Sequence, residues 1–235
     1  QILTKLVQLY ARAGMTDSAI VTLDRIESIA GISEQISNTK HLLYLQAGDT
    51  TAAMEELQNL VHEYPADPNY AVLLGNAYSR VLDEPDSATA IFDDVERRDP
   101  TNGRLQLARL NLYQMYDSIR YNAYFDSLLY SPCTDGDLLV SLTMRYASMH
   151  HNKPNGRAMT TAMFDSVLAT PREGSRLLAT YAAYLSTVKA GNDTLRPVLE
   201  RLITEDPSNR TALIQLLQIH ISDNNSTEVG RICDQ

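Results

Sequence analysis

Two ladders of residues share one period along this chain. Prolines that close amphipathic stretches stand at Pro65, Pro100, Pro132, Pro171 and Pro207, at spacings of 35, 32, 39 and 36 residues, and Gly31 supplies a terminator 34 residues before the first. Tyrosines follow thirteen or fourteen residues after each terminator, at Tyr44, Tyr78, Tyr113, Tyr146 and Tyr184, and Tyr10 begins that series. A chain that repeats itself at such a period folds as an array of small units, each covering the apolar face of the next. Proline ends a helix because it lacks an N–H and fixes φ, so each period reads as a pair of helices followed by a turn.

The residues between the ladder rungs carry a more specific pattern. Leu74, Gly75 and Tyr78 on one helix are followed by Ala88, Phe92 and Pro100 on the next. The first two periods give Tyr10, Gly14, Ala19 and Leu23, then Tyr44, Gly48, Ala53, Leu57 and Pro65. Looser versions follow, with Tyr113, Phe125 and Pro132, then Tyr146, Phe164 and Pro171, then Tyr184, Leu199 and Pro207. The fourth period has Leu110 where a small residue is expected, and the fifth has a longer hairpin loop around Asn152 to Gly156. This arrangement resembles the tetratricopeptide repeat, and the resemblance covers essentially the whole chain. It implies an all-α fold, an α-α superhelix or right-handed solenoid of about six and a half helical hairpins. The chain reads as a single solenoid, residues 1–235, with repeats at roughly 1–32, 33–66, 67–101, 102–133, 134–172, 173–207 and a partial 208–235.

Each signature residue has a mechanical role. Gly75 lets a neighbouring helix approach its backbone, Tyr78 fills the wedge between helices, and Ala88 and Phe92 are the small and large partners on the second helix. Asp17-Ser18, Asp49-Thr50, Asp86-Ser87, Asp117-Ser118 and Asp193-Thr194 stand near the start of second helices, where side-chain oxygens accept free amide hydrogens at ~1 kcal/mol each.

Composition narrows the function. With 29 acidic and 20 basic residues the formal charge is −9, which disfavours nucleic acid, since phosphate binding needs a basic face. No uninterrupted apolar run reaches the ~18 residues of a membrane span, and no signal peptide is visible. The chain begins at Gln1 and stops at Gln235 within a new helix, so it reads as a piece of a longer protein, and the lack of a visible signal peptide says little about its location. Cys133 and Cys233 are expected about three repeats apart, beyond the ~7 Å Cα limit for a disulfide.

No Ser-His-Asp set, zinc-ligand spacing, phosphate loop or dinucleotide fingerprint is present, so no catalytic, cofactor-binding or metal residue is assigned and the chain is expected not to be an enzyme. His150-His151 is the only adjacent histidine pair. Successive side chains on a helix diverge by about 100°, so a surface helix end is the expected reading. Glu55-Glu56 and Asp93-Asp94 read as solvated faces. The chain has 13 tyrosines and no Trp. Those of the ladder read as core, and Tyr116, Tyr121, Tyr124 and Tyr130 read as packing of the fourth repeat.

The resemblance also implies where a partner lies. In this family the first helices line a concave groove, and residues two before or two after the wedge tyrosine face it. Two after gives Arg12, Gln46, Arg80, Met115, Ser148 and Ser186. Two before gives Gln8, Leu42, Asn76, Met144 and Ala182, with Asn111 beside Tyr113. The polar first half supplies the expected partner-binding residues Gln8, Arg12, Gln46, Asn76, Arg80 and Asn111. Amides there pair with an extended backbone and arginines with carboxylates. The carboxylate clamp of chaperone-binding relatives is not matched, since its Lys and second Asn are missing.

Seven Asp-Ser/Thr-aliphatic or Thr triplets begin at Asp17, Asp49, Asp86, Asp117, Asp126, Asp165 and Asp193, where composition predicts about one. Capping accounts for five but not for Asp126-Ser127-Leu128 or Asp165-Ser166-Val167. The triplet resembles the acceptor of a general O-glycosylation system for exported proteins of Gram-negative gut bacteria, as the segments Leu73-Leu74-Gly75, Phe125–Leu129 and Ile232-Cys233-Asp234 resemble their long repeat proteins. A periplasmic or envelope location is therefore expected. The expected function is a protein-interaction scaffold that binds a peptide or protein partner. The alternatives are a substrate-recruiting arm of a larger enzyme or envelope complex, and a structural solenoid that forms a homodimer through its last hairpin.

Overall fold

The computed structural model describes residues 2–170 and 174–233. All regular structure among them is helical: α1 (Ile2–Arg12) packs on α2 (Thr16–Ala30), α3 (Glu34–Ala47) on α4 (Thr50–Glu63) and α5 (Pro68–Val81) on α6 (Pro85–Arg98), and α7 (Gly103–Tyr116) and α8 (Ser118–Tyr130) follow in the chain. The series continues with α9 (Gly136–His150) and α10 (Gly156–Leu168), α11 (Gly174–Thr187) and α12 (Asn192–Glu205), and α13 (Arg210–Ser222) and α14 (Ser226–Cys233). The chain forms two compact units, residues 1–122 and 123–235, with the division inside α8. The terminator Pro171 and the expected repeat boundary at 172/173 lie outside the described residues.

Within the first unit, the wedge geometry is visible at α5 and α6. Phe92 and Ala88 are fully buried, and the Phe92 ring occupies the space a side chain on Gly75 would need, 2.5 Å from an ideal Cβ. Val72, Val95, Leu105 and Leu112 close the same cluster, so α7 covers the face that α5 and α6 leave open. One hairpin earlier, Met54, Leu57, Leu74 and Ala77 do the same between α4 and α5. The ladder tyrosines Tyr10, Tyr44, Tyr78, Tyr113 and Tyr146 are half-buried, which suits a ring that wedges between helices with its hydroxyl near solvent.

In the second unit the ladder slips by one residue. A five-residue backbone bond closes α1 from Met15 N–H to the Tyr10 carbonyl, α3 from Asp49 to Tyr44 and α11 from Ala190 to Leu185, while α5 closes from Glu84 to Tyr78. On α11 Tyr181, Ala182, Tyr184 and Leu185 are buried and Ala183 exposed, the order that Leu74 to Tyr78 show one residue earlier relative to their tyrosine. Leu185 is therefore the wedge of the sixth hairpin, and Tyr184 lies beside it against Phe164 at 5.9 Å between ring centres. Of the fourth-repeat tyrosines, Tyr121 is buried and Tyr124 half-buried, whereas Tyr116 and Tyr130 are exposed. Tyr116 reaches back to the Ser79 carbonyl at 2.7 Å.

Capping differs from expectation in an instructive way. Asp49 accepts from Ala52 N–H at 3.0 Å, and Asp117 accepts from Ile119 and Arg120 N–H. Asp17, Asp86 and Asp193 instead occupy the first turns of α2, α6 and α12, where Met15, Glu84 and Gly191 are the N-cap residues and no side chain caps the backbone. Those three carboxylates act through the positive end of the helix dipole rather than through a cap bond. The side-chain caps gather on first helices: Ser33, Asp67, Asn102, Asp135 and Asn209 each accept an amide hydrogen of α3, α5, α7, α9 and α13.

Candidate functional surface

All six expected partner-binding residues fall on first helices of the first unit: Gln8 and Arg12 on α1, Gln46 on α3, Asn76 and Arg80 on α5, and Asn111 on α7. Gln8, Arg12, Gln46 and Arg80 are exposed, and Asn76 and Asn111 are half-buried. Their side chains make no hydrogen bond or ion pair with other described residues. Most other arginines of this unit are engaged: Arg97 and Arg98 pair with Asp94, Arg104 with Glu34 and Arg120 with Asp117. Leu42 and Met115, at 52% and 54% exposure, add apolar surface to the same helices.

Charge is sorted between the two sets of helices. Helices α1, α3, α5 and α7 carry Lys5, Arg12, Lys40, Arg80, Arg104 and Arg109 against the single acid Glu34. On α2, α4 and α6 the acids Asp17, Asp24, Glu27, Glu55, Glu56, Glu63, Asp86, Asp93, Asp94 and Glu96 face only Arg25, Arg97 and Arg98. Helices α1 to α7 thus keep most of their basic side chains on the first helices and most of their acids on the second. The expectation of solvated acidic faces hides a second feature, since two of those bases are buried. Lys40 Nζ lies 2.7 Å from Asp24, 2.6 Å from Glu27 and 3.3 Å from Glu56. Burial lowers its pKa, but the hydrogen bonds it donates to Asp24 and Glu27 and the charge of Glu56 outweigh that and hold it above its ordinary value. Arg109 lies 2.8 Å from Asp93 and 3.3 Å from Glu96.

The second unit presents a different first-helix surface. Met144 and Ser148 are exposed as expected, but Ala182 is buried and Ser186 half-buried. The one-residue slip turns Ala183 and Thr187 outward in their place. Between α11, α12 and α13 an open hollow of about 340 Å³ is lined by Ser186, Lys189, Asn192, Gln215, Gln218 and Ser222, among others.

Two of the histidines pack inside the fold. His41 is buried and donates from Nδ1 to the Ala53 carbonyl at 2.8 Å. His150 is also buried, not a surface residue as expected: its Nδ1 donates to the Tyr146 carbonyl at 2.9 Å, and its ring stacks on Tyr146. His151 next to it is exposed. No group of three or more His, Cys, Asp or Glu among the described residues has the geometry to hold a metal ion. No described helix is long and apolar enough to cross a membrane. Cys133 is exposed, and the side chain of Cys233 lies outside the described residues.

Residues 42–67, spanning the end of α3, α4 and the following turn, match the family model of the tetratricopeptide repeat. The multi-repeat helical reading stands, since hairpins of the same make flank that segment on both sides. Similar solved structures include a tetratricopeptide repeat protein of Parabacteroides merdae at 17% identity and TM-score 0.46, covering 93% of this chain and 83% of that one. PilF of Pseudomonas aeruginosa aligns at 13% identity and TM-score 0.44, covering 94% of this chain and 96% of its own. No curated protein matches the sequence.

Proposed function

We propose that this chain is a non-catalytic protein-interaction scaffold, and that the first helices of its first unit hold an extended, acidic or carboxylate-ended segment of a partner protein. The observation that carries this reading is the pair Arg12 and Arg80, exposed and without side-chain partners among the described residues, on helices that also offer the amides of Gln8, Gln46, Asn76 and Asn111. Guanidinium groups pair bidentately with carboxylates, and side-chain amides satisfy the backbone of an extended chain. A preformed helical surface pays little ordering entropy on binding. Cell-envelope placement is part of the same proposal. It draws support from the seven Asp-Ser/Thr triplets, whose hydroxyl residues are all exposed or half-buried, Ser127 and Ser166 being exposed within α8 and α10.

The test uses fluorescent acidic hexapeptides with a free or an amidated C-terminus, read by anisotropy. Arg12→Glu with Arg80→Glu is expected to weaken binding at least about tenfold, given that truncating charge-assisted contacts costs about 1.5–3 kcal/mol each, and to leave the urea midpoint unchanged. Arg25→Glu with Arg97→Glu, on α2 and α6, is the matched control. Equal loss in the control would place the partner on the second helices and sink the assignment.

A further inference from the structure

The residue four places before each wedge position alternates in character along the whole chain. It is Leu6 on α1, Lys40 on α3, Leu74 on α5, Arg109 on α7, Leu142 on α9, Tyr181 on α11 and Leu216 on α13. The three polar members are buried, at 3%, 6% and 3% exposure. Lys40 and Arg109 each meet an aspartate that directly follows the large apolar knob of the preceding second helix, Asp24 after Leu23 and Asp93 after Phe92. Tyr181 stacks on the knob Phe164 itself, with ring centres 4.5 Å apart. Glu27 and Glu96, one turn further on, repeat as well. The set Asp24, Glu27 and Lys40 thus recurs 69 residues later as Asp93, Glu96 and Arg109. At the seam between, α4 offers Gln58 and Val61 in those places, and Leu74 packs on Met54 and Leu57.

From this alternation we infer that the building block of the molecule is a pair of hairpins, and that its polar seams select which hairpin docks on which. Hairpins of nearly equal shape can exchange neighbours, within a chain or between two copies. A leucine seam tolerates that exchange, because apolar contact is not directional. A buried cation does not, since away from its carboxylates it stands desolvated and unpaired. Such pairs add little net stability over an apolar seam, so their contribution lies in discrimination. The keys Lys40 and Arg109 are of one make, each a buried cation against an Asp and a Glu three residues apart.

The test converts the first polar seam into a copy of the leucine seam, with Lys40→Leu, Asp24→Gln, Glu27→Val and Glu56→Gln in the full chain. The urea midpoint is expected to hold or rise. After rapid dilution from urea at micromolar concentration, light scattering on a sizing column is expected to show several-fold more dimer and higher species than wild type. Lys40→Arg, which installs the other key, is expected to refold as wild type does. Two results overturn the inference. One is a monomer yield equal to wild type in the converted seam. The other is failure of that variant to fold, repeated when Arg109→Leu, Asp93→Gln and Glu96→Val convert the second seam, since a seam whose loss unfolds the chain is a stabiliser and not a selector.

Discussion

A Cβ on Gly75 would lie 2.5 Å from Cε1 of Phe92, closer than any two carbon atoms pack. Phe92 is fully buried and cannot swing away. Gly75→Leu must therefore displace α6 or α5, at about 1–3 kcal/mol or more of overpacking. Asn76→Ala, one residue along and half-buried, is expected to cost under ~1 kcal/mol. Urea melts of the two variants give the order. The reverse order would mean that the wedge register is misplaced.

Caps give a finer contrast. Asn102 is buried, accepts from Leu105 N–H at 2.9 Å and donates to Asn69 and Asp99. Asn102→Ala is expected to cost about 1–2 kcal/mol, the upper part of the range for a lost cap. Asp17→Ala, which removes only a first-turn carboxylate of α2, is expected to cost under ~1 kcal/mol, the size of a helix-dipole interaction. Equal midpoint shifts in thermal melts would contradict the distinction.

Alkali should loosen the fold before acid chemistry enters. Lys40 has a raised pKa, so its folded-state proton is retained after the unfolded chain has lost it. Tyr44 and Tyr181 are raised chiefly by burial, so the unfolded state ionises first there too. All three bind more protons folded than unfolded, and stability falls as pH rises. The urea midpoint is expected to stay level from about pH 7 to 9 and decline above about pH 10, where free Lys and Tyr titrate. Lys40→Met should make that decline shallower; an unchanged slope would assign it to other groups.

The proposed envelope location makes a mass prediction. Protein purified from its own host is expected to exceed its sequence mass of 26.2 kDa over this segment, with added sugar on Ser or Thr of the triplets. Ser127→Ala and Ser166→Ala should each remove one increment. An unmodified segment would return the triplets to helix starts and surface positions.

What the sequence disclosed follows from how local each signal is. The tyrosine and proline ladders act within one or two turns of themselves, so they report hairpins without knowledge of distant contacts. The slip at Leu185 was illegible because Tyr184 and Leu185 are adjacent and both apolar enough to wedge; the bond from Ala190 to the Leu185 carbonyl and the exposure of Ala183 separate them. The buried ion pairs were missed because lysine and arginine default to solvent. A signal did exist in the acid pairs Asp24/Glu27 and Asp93/Glu96, repeated 69 residues apart with a base in the same register. Of the proposed partner surface, the first-helix positions of the six residues were readable, but not that Arg12 and Arg80 have no side-chain partner among the described residues, which depends on distant parts of the chain.

The sorting of charge between first and second helices gives the first unit an electric dipole moment that its net charge conceals. A charged body approaching from solution exerts a torque on the molecule before any contact forms. At an ionic strength near 0.15 M this reach is about 8 Å, roughly one helix diameter. Within that range a negatively charged segment meets the first helices turned toward it more often than chance orientation gives, and a positively charged one meets the second helices. The fold thereby sets which of its sides a visitor encounters first, and that preference fades as salt rises.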